Sequence, residues 1–239
     1  MDITKQKTVA GVVTENIKTA HVFKKHGIDF CCGGGITIEK ACAKNGVDYA
    51  ILGKELEEID EIVPRAYDYD SWDLSFLIDY IVNTHHKYVE ENIALLLQYA
   101  SKVAKVHGHH YKEVVEINEL VIAVAKELAV HLKKEELILF PFVKQLVLSD
   151  KKNIKPNTPS FGSVNSPIEM MEEEHENAGD IFKRIAILSN NYTPPAEACN
   201  TFKALYAKLQ EFEDDLHQHV HLENNILFPK SIQLERQFQ

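Results

Sequence analysis

A duplicated motif that begins with histidine and ends with Phe-Pro constrains this chain more than any other feature. The stretch 131–141 reads HLKKEELILFP, and the stretch 219–229 reads HVHLENNILFP. In both copies a glutamate follows the first histidine by four positions, which on an α-helix places the two side chains on one face, a turn apart. The repeat therefore predicts two helical hairpins related by duplication, each with an equivalent site.

The histidine and glutamate of each copy fall on the apolar face of their helix. Apolar residues recur at intervals of three and four through His131 and Glu135, and again through His219 and Glu223. A buried carboxylate without compensation costs several kcal/mol, and two that face each other force at least one to be protonated. We therefore expect a positive charge in the interior.

The chain reads as short helices followed by four long ones, with no convincing alternating pattern of the kind that strands show. We predict an all-α fold with a small N-terminal helical domain at 1–60, a linker at 61–72 and an antiparallel four-helix bundle at 73–239. The predicted long helices are 73–107, 110–147, 167–190 and 195–235. A capping box with proline at the first helical position, Ser166-Pro167-Ile168-Glu169, predicts the start of the third.

The first and third long helices each add a histidine to the apolar face, and these are His85 and His175. Each hairpin then supplies one histidine and one His-x3-Glu pair. Nitrogen and oxygen ligands without thiolate suit iron best, although manganese stays open. We predict two non-haem iron ions, bound by His85, His131, Glu135, His175, His219 and Glu223. Two carboxylates do not balance two iron ions, which predicts an oxo or hydroxo bridge and open positions for nitric oxide, oxygen or peroxide.

Two acids near these ligands are candidates for a supporting role. Glu127 lies one turn before His131, and Glu174 adjoins His175. Either carboxylate can orient a ligand or handle a proton. The alternative is that both are solvated acids. The six remaining histidines of the bundle are predicted as surface residues, namely His86, His107, His109, His110, His217 and His221.

Adjacent cysteines, Cys31 and Cys32, precede three glycines in a predicted loop. If this loop leads into a helix at Thr37, the helix N-terminus favours the thiolates, which predicts a redox or metal-transfer role. The alternative is a glycine turn with incidental thiols. Cys42 and Cys199 are predicted to be small apolar packing residues.

Composition excludes several classes of partner. The formal net charge of −10 opposes binding to nucleic acid or to an anionic membrane surface. No apolar run approaches the roughly 20 residues that a membrane helix needs, and the first residues lack the pattern of a signal peptide. The four cysteines do not form the spacing of a disulfide framework, so we expect a reducing cytoplasm.

Taken together, these motifs resemble the hemerythrin-like family and, more closely, the repair-of-iron-centres family of the YtfE and ScdA type. The resemblance covers nearly the whole chain, and it rests on the stretch 29–35 (DFCCGGG), the two motif copies, the stretch 173–175 (EEH), the stretch 193–199 (TPPAEAC) and the stretch 222–229. It implies an N-terminal domain with a cysteine pair, ahead of a hemerythrin-like bundle around a non-haem di-iron centre.

The resemblance also implies a stress-response function, the repair of iron-sulfur clusters after oxidative or nitrosative damage. Whether the chain is an enzyme stays open. It can supply iron, reduce nitric oxide as an enzyme, or bind or sense oxygen or nitric oxide reversibly. The implied partners are damaged iron-sulfur proteins and an electron donor, with a homodimer as one open arrangement.

Overall fold

The computed structural model describes residues 3–62 and 67–238, which form helices and loops. Within these ranges β pairing is limited to an isolated bridge between Thr8 and Thr37. The prediction of an all-α fold is confirmed. None of the helices in the described ranges combines the length and the apolar character that crossing a membrane requires.

The N-terminal region consists of short helices, and threonine side chains cap the starts of α1 and α3. They are α1 (Val9–Glu15), a 3-10 turn (Ile17–Thr19), α2 (Ala20–Lys25), α3 (Ile38–Asn45) and α4 (Tyr49–Ile62). Thr8 caps α1 by accepting from the backbone N–H of Gly11, and Thr37 caps α3 in the same way. Gly27 follows α2 with a φ of 67°, a left-handed conformation that favours glycine.

Three π-turns interrupt the long helices that follow. After a 3-10 turn (Tyr69–Ser71), the order is α5 (Leu74–Ile81), π-turn (Val82–His86), α6 (Lys87–His107), α7 (Glu113–Lys134), π-turn (Glu135–Leu139), α8 (Phe140–Lys152), α9 (Asn165–Leu188), α10 (Asn200–Leu222), π-turn (Glu223–Leu227) and α11 (Phe228–Arg236). Pro141 and Pro229 are each the second residue after one of these turns. Because proline lacks an N–H and its ring clashes with the carbonyl four residues earlier, a regular α-helix does not pass through it easily.

Three predicted helix starts are displaced. Helix α7 begins at Glu113 rather than at 110. Helix α9 begins at Asn165, so Ser166 lies inside the helix and the predicted capping box is wrong. Pro167 is tolerated there because N–H groups of the first turn have no partner within the helix. Helix α10 begins at Asn200 rather than at 195, after a turn in which the N–H of Ala198 bonds to the carbonyl of Pro195.

The chain divides into two compact units, which are Met1–Leu77 with Gln218–Gln239, and Ile78–His217. The first unit has a core of fully buried apolar side chains, among them Val12, Phe23, Ile38 and Leu56. The predicted domain boundaries stay a prediction. Residues 63–66 of the predicted linker lie outside the described ranges.

The second unit contains parts of four helices that pack in a ring. Helix α6 packs against α7, and α7 packs against α9. Phe182 of α9 stacks on Phe212 of α10, with ring centroids 5.8 Å apart. Tyr88 of α6 donates a hydrogen bond of 2.8 Å to Glu211 of α10 and so closes the ring. This packing is that of a four-helix bundle.

Candidate metal centre

Glu135 is fully buried in the second unit, at the start of its π-turn. Its Oε2 lies 3.3 Å from His86 Nε2 and 3.4 Å from His131 Nε2. His175 Nε2 lies 3.1 Å from His131 Nε2. One ligand atom each from His131, Glu135 and His175 lies within 4.8 Å of the others. Three imidazole nitrogens and a carboxylate in a dry interior fit a first-row transition metal such as iron.

Carboxylates outside this cluster orient two of its histidines. His86 Nδ1 lies 2.7 Å from Glu136 Oε1, and His131 Nδ1 lies 2.9 Å from Glu174 Oε2. Because an ionised carboxylate only accepts hydrogen bonds, each Nδ1 donates, and a ring without a second proton then has its lone pair at Nε2. Metal-binding histidines typically have this arrangement, in which an outer carboxylate fixes the tautomer and the ring plane.

Glu174 keeps its charge despite partial burial. Desolvation raises the pKa of its carboxyl group, but hydrogen bonds from Lys134 and His131 outweigh this, so the net pKa is lowered. Glu174 is therefore ionised at neutral pH and can hold the His131 proton on Nδ1. Glu127, by contrast, is exposed. Of the two predicted supporting acids, the structure brings only Glu174 into contact with a candidate ligand among the described residues.

The structure places His86, rather than His85, beside Glu135. His85 is equally buried and its Nδ1 donates to Asp215 Oδ1 at 2.9 Å, but among the described residues its ligand atoms are not grouped within 4.8 Å of those of Glu135. The prediction of His86 as a surface residue is wrong. The physical reason is the π-turn Val82–His86, whose wider turn moves the apolar face by about one residue relative to a uniform 3.6-residue period.

The second copy of the motif has the same local geometry in the first unit. His219 Nε2 lies 3.0 Å from Glu223 Oε1, and both side chains are fully buried. Glu223 begins a π-turn, as Glu135 does. In each copy the histidine thus directs Nε2 toward the glutamate one turn later.

The cysteine loop is held closely in the first unit. Asp29 Oδ1 accepts from the Cys31 backbone N–H at 3.0 Å and from Cys31 Sγ at 3.3 Å. A Cβ at Gly34 would lie 2.3 Å from the Phe30 carbonyl oxygen, so only glycine fits there. A hydrogen bond with Cys32, together with burial, raises the pKa of Cys31 well above its ordinary value. The expectation that a helix N-terminus favours both thiolates is therefore wrong for Cys31.

The predictions for one further histidine and for the two isolated cysteines can also be compared with the structure. His221 is fully buried, not a surface residue, and desolvation lowers its pKa to about 4. Cys42 is buried, as predicted. Cys199 is exposed, with its Sγ 3.2 Å from His107 Nε2, so its prediction as a packing residue is wrong. The short turn before α10 leaves Cys199 outside the apolar face.

Comparisons with known proteins identify two domains and several relatives of nearly the same length. A model of the N-terminal domain ScdA_N, a domain of unknown function (DUF542), matches residues 5–60, and a model of the hemerythrin HHE cation binding domain matches residues 77–231. The iron-sulfur cluster repair protein YtfE of Escherichia coli O81 is 36% identical over 90% of this chain and 91% of that protein. The protein of the same name from Escherichia fergusonii is 35% identical over the same shares.

The two domain models match in the same order and at nearly the same positions as the two groups of motifs in the sequence. The relatives match along almost the full length of both chains. The resemblance inferred from the motifs is therefore confirmed, and the chain belongs to the ScdA_N and hemerythrin HHE family that includes the iron-sulfur cluster repair proteins YtfE.

Proposed function

We propose that this chain repairs iron-sulfur clusters damaged by oxidative or nitrosative stress, and that it does so with a non-haem di-iron centre. The observation that carries the proposal is the fully buried Glu135 carboxylate, with the Nε2 atoms of His86 and His131 within 3.4 Å. A low-dielectric interior disfavours a buried carboxylate, and a cation bound between Glu135 and the imidazoles would stabilise it. The relatives that carry the name of repair proteins support the biological role.

The proposed iron ligands come from both copies of the motif. The first copy and its neighbours contribute His86, His131, Glu135 and His175, and the second copy contributes His219 and Glu223. His86 replaces His85 of the sequence prediction because of its contact with Glu135. When bound, a pair of iron ions with an oxo or hydroxo bridge supplies redox chemistry, or iron that can be transferred.

The protein's own residues prepare the centre. Glu136 and Glu174 hold protons on the Nδ1 atoms of His86 and His131, so that both Nε2 atoms remain donors to a metal. The ring of Phe140, from the Phe-Pro end of the motif, stacks on His86 with centroids 5.6 Å apart and covers it with apolar surface. A rigid, water-excluding surround of this kind keeps ligands in place while metal is absent.

Cys31 and Cys32 are proposed to exchange electrons or metal with a partner. The proposed partners are a damaged iron-sulfur protein and an electron donor, in the cytoplasm, where thiols stay reduced. Support for this setting is that all four cysteines are thiols in the structure.

Reactivation of a damaged enzyme tests the function. The iron-loaded full chain is mixed with an iron-sulfur hydro-lyase that has been inactivated by nitric oxide, and recovery of hydro-lyase activity is followed alongside the iron content of each protein. We expect recovery with the iron-loaded chain, and none with the iron-free chain or the Glu135→Gln variant. Metal analysis and iron-sensitive spectroscopy establish the number of irons per chain.

Other outcomes would overturn the repair function. Steady consumption of nitric oxide with an electron donor, without recovery of the hydro-lyase, would identify a nitric oxide reductase instead. A stable and reversible adduct with nitric oxide or oxygen, unaffected by loss of the cysteines, would identify a binding or sensing module.

A further inference from the structure

We propose that Cys32 is the reacting sulfur of the cysteine pair, that Cys31 is held back as a protonated thiol, and that Asn224 positions the reacting sulfur. This inference rests on the proposed function for the cysteine pair and assigns unequal roles within it. It follows from contacts in the first unit, which contains both the cysteine loop and the π-turn Glu223–Leu227.

Cys31 is held by contacts to its backbone and its thiol. It is only 7% exposed, and Asp29 Oδ1 accepts hydrogen bonds from both its N–H and its Sγ. Asn225 Nδ2 donates to the Cys31 carbonyl oxygen at 3.2 Å. A buried thiol that donates to a carboxylate retains its proton, because the thiolate would face that negative charge in a dry environment. Since the thiolate is the nucleophile, Cys31 is poorly placed to react.

Cys32 has the opposite surroundings. Its side chain is partly exposed, so a reagent in solution can reach it. Asn224 Nδ2 donates to Cys32 Sγ across a long distance of 3.9 Å. An amide N–H directed at sulfur stabilises developing negative charge without introducing an ion. The two asparagines after Glu223 therefore have different roles. Asn224 donates to the reacting sulfur of Cys32, and Asn225 donates to the backbone carbonyl of Cys31.

The proposed reaction is thiol–disulfide exchange with an exogenous disulfide. The Cys32 thiolate attacks one sulfur of the disulfide, a bond forms between the two sulfurs, and the original disulfide bond breaks. The second sulfur leaves as a thiolate, and Cys32 is thereby oxidised by the disulfide that it reduces. Because a disulfide between adjacent residues is strained, we expect the mixed disulfide to persist, rather than Cys31 releasing a second thiolate.

The aromatic disulfide 5,5′-dithiobis(2-nitrobenzoate) tests the assignment, because each exchange releases a coloured thiolate. The full chain carries Cys199→Ser, since Cys199 is exposed and reacts as well. We expect about one thiolate per chain in the fast phase, with the label on Cys32 in the intact-mass and peptide spectra. Adding Cys32→Ser should remove the fast phase, and adding Cys31→Ser should preserve it. A label on Cys31, or a fast phase that survives Cys32→Ser, would overturn the assignment.

Asn224 is tested with paired variants. Asn224→Asp replaces the N–H donor by a carboxylate of the same shape and should slow the fast phase about tenfold, whereas Asn224→Gln keeps an amide donor and should restore much of the rate. Asn157→Asp makes the same charge change at an exposed position and should leave the rate unchanged. Equal rates for Asn224→Asp and Asn224→Gln would refute a positioning role.

The same samples separate this inference from the function on which it rests. Iron content and hydro-lyase recovery are measured beside the labelling. Equal labelling of both cysteines in a chain that binds iron and repairs the hydro-lyase contradicts the unequal roles alone. Selective labelling in a chain that does neither contradicts the proposed function alone.

Discussion

The choice between two adjacent buried histidines gives the sharpest test of the metal centre. His86 Nε2 lies 3.3 Å from the Glu135 carboxylate, whereas His85 Nδ1 donates to Asp215, and each residue is 1% exposed. Asparagine at either position retains a donor near the place of Nδ1 and lacks any atom at Nε2. His86→Asn and His85→Asn are thus matched in size, burial and sequence position. Only His86→Asn removes the nitrogen that lies 3.3 Å from Glu135.

The expected loss for His86→Asn follows from its direct contact with the site. Removing an outer partner of a metal ligand costs about 10- to 100-fold in affinity, so removing a ligand should cost at least about 100-fold. At saturating iron this corresponds to about 2.7 kcal/mol less metal-linked stabilisation. For a chain of this size, the rise in Tm upon adding iron should shrink by about 5 to 10 °C. For His85→Asn, any cost of weakening the contact with Asp215 affects the iron-free and iron-loaded protein alike, and the rise should persist.

Calorimetry with and without iron measures the rise in Tm, and competition with a chelator measures the affinity. The two variants are compared by the rise in Tm that iron causes in each. Their Tm values without iron are not compared, because both variants lose ring packing and can be less stable than the parent. If His85→Asn loses iron while His86→Asn retains it, the π-turn does not set the ligand register, and the assignment of His86 is refuted.

Three further variants have distinct expected outcomes. Glu135→Gln should abolish iron binding, yet leave the iron-free chain as stable or more stable in urea, because it removes a buried charge. Glu174→Gln should weaken iron binding about 10- to 100-fold, with Glu127→Gln as the unaffected control; equal effects would contradict the contact with His131. The folded pKa of His221 is about 4, below its ordinary value of 6.5, so the unfolded chain binds the extra proton. Stability in the iron-free chain should therefore fall by about 2 kcal/mol from pH 7 to pH 5, and His221→Gln should remove most of that fall.

The sequence predicted the fold well because its signals are local and periodic. Helical spacing of apolar residues identified all four long helices, and helix α6 ends at His107, as predicted. Helix starts were less well predicted. The capping box at Ser166 has the right residues, but α9 begins at Asn165, and Asn165 Nδ2 contacts Glu169 instead. Local capping patterns compete with neighbouring alternatives, and the surrounding structure decides between them.

The site was predicted as far as regular helical geometry allows. The pairs His131 with Glu135, and His219 with Glu223, needed only a spacing of four. His86 was missed because it is the last residue of a π-turn that no proline marks. The other two π-turns do have such a signal, since Pro141 and Pro229 interrupt their helices. A uniform period is therefore a poor guide near a functional site, where π-turns are frequent.

The two copies of the motif share their geometry but differ in the residue that follows the glutamate, and this difference separates their roles. In the first copy that residue is Glu136, whose carboxylate holds a proton on His86. In the second copy it is Asn224, whose amide faces a cysteine sulfur. A carboxylate at 224 would repel a thiolate, and an amide at 136 would hold the proton of an imidazole less strongly. Each copy therefore has the side chain that its neighbour's proposed role requires, an acid beside a proposed metal ligand and a neutral donor beside the proposed reacting sulfur.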